Sequence, residues 1–443
     1  MRSPPQSLVV IHGHFYQPPR ENPWTGQVDA EPNAAPDHDW NVRITRETYR
    51  PLVPLYEYLS FDFGATLLDW MEREARDVHD AVIAADRASV KRLGHGNALA
   101  MPFHHIILPL ASRRDKQTEV RWGIADFRRR FGRDPVGFWL PETAMDRETL
   151  DVLAAEGIQF TVLAPHQVSK APERGLPGTI ALDRGRSMAV FAYNGRLSHD
   201  VAFGGLPNDP ARFTAALSST RPGAITAIAV DGETFGHHHK GADTGLATVL
   251  DRLRHSDHVR VTNFAAALAA HPPRDPLELV APTSWSCAHG VERWRSDCGC
   301  RLDGRTEQDW RAPLRTAVDW LAAEVHAIYE REGTGLPGGP WAFRDAAGAV
   351  GPVTGDENAA RLVEMERGIL RSMTSCGWFF DDIAGLEGRQ VLRYAAHAIA
   401  LAGAESGRLE AGFIKRLGNV RSNDSNAGSA VDVFRQTLQP TPR

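Results

Sequence analysis

The chain has 443 residues, of which 42% are hydrophobic and 24% charged, with a formal net charge of -5. This is an ordinary globular composition, long enough for more than one domain, and its mild acidity argues against nucleic acid or an anionic membrane as partner. No run approaches the ~18 apolar residues of a membrane span, the start lacks a signal-peptide core, and four cysteines are no disulfide framework, so a soluble cytoplasmic protein is expected.

Ser7–Ile11 predicts a first core strand, which empties into His12-Gly-His14-Phe-Tyr-Gln17-Pro-Pro. Histidines at i and i+2 project to one side of an extended chain. A Pro-rich loop, Glu21–Asn41, is long enough to suggest a functional role. The pattern then predicts a helix over 45–59, a strand over 61–67, a helix over 75–93 and a short strand over 98–101 after Gly94-His95-Gly96-Asn97. A charged helix over 113–130 precedes strand 136–139, which ends in Leu140-Pro141-Glu142. A helix over 145–156 with Asp146 as cap, and strands over 157–163, 188–193, 224–230 and 258–261, continue the alternation.

Strands alternating with helices argue for parallel β-α-β units. Ala224–Val230 is a buried-strand run that releases Asp231, Glu233 and His237–His239 at its carboxyl end, where α/β sheets bind ligands. Polar residues gather after strand upon strand, as in a β/α barrel with its site at one mouth; a doubly wound open sheet is the alternative. The expected domains are a barrel over 5–275, a loop-rich link over 276–304, a helical bundle over 305–420 and a flexible tail over 421–443.

Glu142 and Asp231 are acids at two strand ends, the pair that glycoside cleavage needs: one attacks or orients water, the other protonates the leaving oxygen. The bland alternatives are a helix N-terminal acid and an N-cap. His12 and His14 with Asp231 have a zinc reading, that of a metal-dependent polysaccharide deacetylase. Alternatively, the histidines serve sugar hydroxyls or the carboxylates. Cys287, His289, Cys298 and Cys300 offer four soft ligands, with reduced thiols as the competing view. Trp378-Phe-Phe380 suits either a sugar platform or a core stripe.

In combination these motifs resemble glycoside hydrolase family 57. His12-Gly-His14-Phe-Tyr-Gln17-Pro18 is similar to its first motif, Phe138-Trp139-Leu-Pro-Glu142 to its third and Asp231-Gly-Glu233-Thr-Phe-Gly236 to its fourth. Cys376-Gly-Trp378-Phe-Phe380 is similar to an aromatic segment lining the sugar cleft. The resemblance implies an incomplete seven-stranded (β/α) barrel followed by a C-terminal helical domain. It also implies a retaining hydrolase or transglycosylase on α-linked glucans, with Glu142 as nucleophile and Asp231 as acid/base. His12, His14, Gln17, Asn97, Trp139, Glu233, His237 and Trp378 would bind substrate, with no cofactor or catalytic metal. At the second motif, where the family places a glutamate, this chain has Asn97. A catalytically silent glucan-binding protein is a further reading, and the oligomeric state is open.

Overall fold

The computed structural model describes residues 6–347, 351 and 353–438. The chain forms two compact units. The first is built from the chain up to Gln17, from Ala30–Met101 and from Phe127–Ala281; the second from Pro18–Asp29, Pro102–Asp126 and the chain from Pro282 onward. Both are therefore discontinuous in sequence, where the sequence pattern suggested consecutive blocks.

In the first unit, strands β1 (Ser7–Phe15), β2 (Ser60–Phe63), β3 (Ala98–Leu99), β4 (Gly137–Phe138), β5 (Phe160–Leu163), β6 (Gly178–Ala181), β7 (Ser187–Ala192), β8 (Ile225–Asp231), β9 (Val259–Val261) and β10 (Asp275–Pro276) form two five-stranded sheets. One runs β3-β2-β1-β8, with β9 also paired to β1; the other runs β10-β6-β7-β5-β4. All pairings are parallel except β6 with β7. A parallel bridge between Ala100 and Phe138 links β3 to β4, and on the other side the Asn194 amide donates to the Ala227 carbonyl at 2.7 Å. These two links join the sheets without a continuous ladder.

Every residue of β1 is buried, as is Ala227–Val230 in β8. Covered on both faces, such strands carry continuous apolar runs, which is why the sequence betrays them. Helix starts follow local chemistry: the side chains of Asp146, Asn194, Asp209 and Asn263 each accept a hydrogen bond from the amide three residues on. The predicted strand over 61–67 is shorter than expected. It stops at Phe63, and Ala65–Glu74 is a helix. Leu67, Leu68 and Met71 are buried on its inner face, and so short an apolar run has no period of its own. The segment 45–59 is a π-helical turn, Thr45–Tyr49, followed by a 3-10 stretch, Val53–Tyr58, because Pro51 and Pro54 interrupt a regular helix.

The second unit is helical, with Arg311–Glu332, Glu357–Arg371, Leu386–Leu401 and Ser406–Leu417 as its longer helices after residue 300. Gly368 lets two of them approach closely, since a Cβ there would sit 3.1 Å from that of Ala398. At its centre the fully buried Arg344 donates to Asp115 at 3.0 Å and Glu366 at 2.6 Å, while His326 bridges the same two carboxylates at 3.2 and 3.0 Å. Buried charges are tolerated when paired in this way. The region expected as a flexible tail contains the helix Ala430–Thr437, capped by Ser429 and Asp432, with Val433 and Phe434 buried; residues 439–443 lie outside those described. No helix among the described residues is long and apolar enough to cross a membrane.

Candidate active site

The carboxyl ends of β1, β2, β4, β7 and β8 bring a set of polar side chains together. On β1, alternation sends His12 and His14 to the same side, where both meet Asp62 of β2. His12 Nε2 lies 3.0 Å from one Asp62 oxygen and His14 Nδ1 2.7 Å from the other. Burial lowers the pKa of His12 and keeps it neutral, so its Nε2–H donates to Asp62 and its Nδ1 accepts from the Ser60 hydroxyl at 3.1 Å. Burial also works against charge on His14, but Asp62 outweighs it, with help from Asp231 and Glu233, and its pKa rises to about 9. One carboxylate thus holds a neutral and a charged imidazole. The Trp139 ring stacks on both, 4.6 Å from His12 and 5.4 Å from His14, and fixes their planes.

Asp231 ends β8 directly across the ladder from His14. Its side chain does not cap the short 3-10 turn Gly232–Thr234 that follows. It is exposed to solvent by area yet closely surrounded by protein atoms. That setting pushes its pKa up to about 6; Glu142 and Asp62 add to the rise and His14 opposes it. Glu233 is buried, and burial with the nearby Asp231 raises it to about 7. It accepts a hydrogen bond from the Tyr49 hydroxyl, and Gln17 in turn hydrogen-bonds Tyr49. Gly232, between the two acids, packs on the Phe15 ring where any Cβ would collide. Tyr193, just past β7, has its pKa raised by burial and by Asp231.

Glu142 follows β4 in the turn Pro141–Thr143 and is half-buried. Its φ is 58° and that of Thr143 is 48°, two successive non-glycine residues in the left-handed region. Each costs on the order of 1 kcal/mol or more, strain typical of functional turns. The turn is pinned from behind. Buried Gln167, just past β5, donates from Nε2 to the Thr143 carbonyl at 2.7 Å and accepts from the Ala164 amide at 2.8 Å.

Three expected substrate contacts sit differently. Asn97 is 1% exposed; it donates to the carbonyls of Tyr56 and Glu57 at 2.9 and 2.8 Å and accepts from Asn263 at 2.9 Å. Its carboxamide braces the base of the loop. His237 Nδ1 lies 2.5 Å from Glu47, which also binds Lys240. These two partners overcome the effect of burial and bring Glu47 down to about 2. Trp378 is fully buried within the second unit, donating to the Arg311 carbonyl at 3.3 Å under the Arg315 guanidinium. It is a packed core ring and offers no open platform; Phe380 is the exposed aromatic of that segment.

The zinc reading of His12, His14 and Asp231 also changes. Both histidines spend ring nitrogens on Asp62, and the set of ligand atoms gathered as for a metal among the described residues is that of Cys287, His289, Cys298 and Cys300. Asp62 and Tyr49 were not foreseen from sequence. An acid inside the short strand Ser-Phe-Asp-Phe was the available signal.

Residues 31–279, more than half of the chain, match the model of glycosyl hydrolase family 57, and residues 307–351 and 353–442 match a domain of unknown function, DUF3536. A 4-alpha-glucanotransferase of Thermococcus litoralis is 22% identical over 248 residues, covering 52% of this chain and 36% of that protein. The chain spans about a third of the length of the curated relatives it matches. Among solved structures, a novel exo-type maltose-forming amylase from Pyrococcus sp. ST04 superposes with a TM-score of 0.77 at 15% identity, over 98% of this chain and 91% of that one. A GH57-type branching enzyme from Pyrococcus horikoshii gives 0.61 at 16% identity, over 98% and 94%. These structural likenesses are of fold.

Proposed function

Because the chain belongs to glycosyl hydrolase family 57, we propose that it acts on α-linked glucans by a retaining double displacement, with Glu142 as nucleophile and Asp231 as general acid/base. What supports this reading is the setting of Asp231: a carboxyl at the end of β8, opposite His14, with its pKa raised to about 6 and Glu142 near enough to add to the rise. A raised acid with a second carboxylate close by suits the division of labour that glycoside cleavage requires.

In the first step, Glu142 attacks the anomeric carbon as Asp231 passes its proton to the departing glycosidic oxygen, leaving a glycosyl ester on Glu142. In the second, Asp231, now a carboxylate, takes a proton from water or from a sugar hydroxyl, which attacks the same carbon and frees Glu142 with net retention. The His14 imidazolium, held by Asp62, balances the charge that Asp231 acquires between the steps. Glu233, hydrogen-bonded by Tyr49, and Gln17 behind it fit a role in gripping the sugar. The partner is an oligo- or polysaccharide, in a cytoplasmic setting, and no cofactor enters either step. The relatives' names speak of glucan transfer, branching and maltose formation; transfer is the outcome we favour.

The test is incubation with maltooligosaccharides, amylose and glycogen. Longer as well as shorter products indicate transfer, and only shorter ones hydrolysis. Glu142→Gln and Asp231→Asn should each lose ~10⁴-fold or more in rate. No change in any α-glucan would refute the reading, and glucan binding without turnover would reassign the chain as a binding protein.

A further inference from the structure

The loop-rich start of the second unit's last segment carries four side chains that the glucan chemistry does not use. Cys287 Sγ lies 3.8 Å from Cys298 Sγ and 3.9 Å from Cys300 Sγ, and Cys300 Sγ lies 3.6 Å from His289 Nδ1. All four ligand atoms fall within 4.8 Å of one another. A tetrahedral ion with sulfur at ~2.3 Å and imidazole nitrogen at ~2.1 Å spaces two sulfurs ~3.8 Å apart, and a sulfur and a nitrogen ~3.6 Å apart. The two sulfur–sulfur distances and the sulfur–nitrogen distance given above match those figures and are far beyond a bonded disulfide, ~2.05 Å.

The backbone is shaped for the same end. Gly299, at φ 85°, turns the chain between Cys298 and Cys300 so that both sulfurs face one point, and Gly290, at φ 82°, does so after His289. A Cβ at Gly290 would press on the Pro282 carbonyl at 2.7 Å. The amides of Cys300 and Ala288 donate to the sulfurs of Cys298 and Cys300, the outer hydrogen bonds that steady coordinated thiolates. Arg311 donates to the Cys300 carbonyl at 2.7 Å, so the cluster is fastened to the start of helix Arg311–Glu332. Cys287 is buried while His289 is exposed, leaving an entry on the imidazole side.

We propose that Cys287, His289, Cys298 and Cys300 bind one Zn²⁺ in a closed tetrahedral Cys₃His site. Four protein ligands leave no open position, so the ion has a structural role: it ties a loop with little regular structure to the helical unit. The three thiols release their protons to solvent as they coordinate.

Elemental analysis of the full chain, purified without chelator, should find about one zinc per molecule. X-ray absorption should show three sulfurs near ~2.3 Å and one nitrogen near ~2.0 Å. Cys298→Ser/Cys300→Ser should lose the metal, while Cys376→Ser keeps it. Should the double variant not fold, His289→Ala, at an exposed position, should weaken zinc retention against a colorimetric chelator ~10-fold or more. The proposal is overturned by purified protein with three freely titratable thiols and no metal, by a disulfide within the cluster, or by zinc that survives the cysteine substitutions.

Discussion

His14 and Asp231 face each other across the β1–β8 ladder, a cation opposite an acid, and each shifts the other's protonation. Burial and Glu142 raise Asp231 to about 6, whereas His14 stays charged to about 9. If Asp231 is the acid of the first step, kcat/KM should fall as pH rises through about 6, the pH at which Asp231 loses its proton, and not near 9. His14→Gln removes the opposing cation, so the alkaline limb should move upward. A pH–rate profile of both proteins checks the direction; a limb unmoved by the substitution would separate Asp231 from the rate.

Gln167 holds the carbonyl of Thr143 beside Glu142 in its strained turn. Gln167→Leu should relax that turn and lower kcat ~10–100-fold, with KM changed far less, because misplacement of a nucleophile by about 1 Å carries such a penalty. Gln167→Glu, which retains an acceptor for Ala164 but not the donor to Thr143, should resemble Leu. Equal losses in kcat and in thermal stability would make Gln167 a packing residue only.

Asp62→Asn should bring His14 down from about 9 towards its ordinary value, readable as a move of its NMR titration midpoint to lower pH. The sign for stability follows. A histidine raised in the folded state contributes stability that is complete below about 6.5 and lost as pH climbs through about 9. The variant should therefore be less stable by ~3 kcal/mol near pH 6, where one charge is left buried without its partner, with a smaller gap above pH 9.

Glu233 follows the same sign, although here the fold disfavours the charged form. Its folded pKa, about 7, lies above its ordinary 4.5, so the native state binds the proton more tightly and loses stability as pH rises across that window. Glu233→Gln should raise the melting temperature at pH 8 by an amount equivalent to on the order of 1–3 kcal/mol, and change it little at pH 4. Sugar affinity should fall in the same variant. A variant stabilised equally at both pH values would rule out the ionisation as the cause.

Much of this site was legible because buried parallel strands write themselves as apolar runs and release their polar residues at one end. Ala224–Val230 with Asp231, and the strand before Glu142, are such cases. What escaped notice depended on partners far away in sequence. Asp62 reads locally as one polar residue in a four-residue strand, and its meaning lies in two histidines 48 and 50 residues earlier. Asn97 stands at a strand opening like a ligand, but its hydrogen bonds turn inward. Trp378 has the composition of a platform and the burial of a core residue. The helix Ala430–Thr437 did have a local signal, Ser429 followed by Asp432 in a capping box, obscured by the Asn, Ser and Gly residues before it.

The interleaving of the two units also sets a timetable for synthesis. Asp29 forms its ion pair with Arg393 at 3.0 Å, and the Glu21 carbonyl accepts from Gln390 and Tyr394, yet these partners emerge some 364 to 373 residues later. At ~5–20 residues per second on the ribosome, the first loop waits roughly 20–70 s for them. A ribosome that stalls before residue 390 therefore leaves a nascent chain whose first-unit sequence is complete but whose earliest loop has nowhere to dock. Pauses late in the message should weigh more heavily on the yield of folded protein than pauses within the first unit.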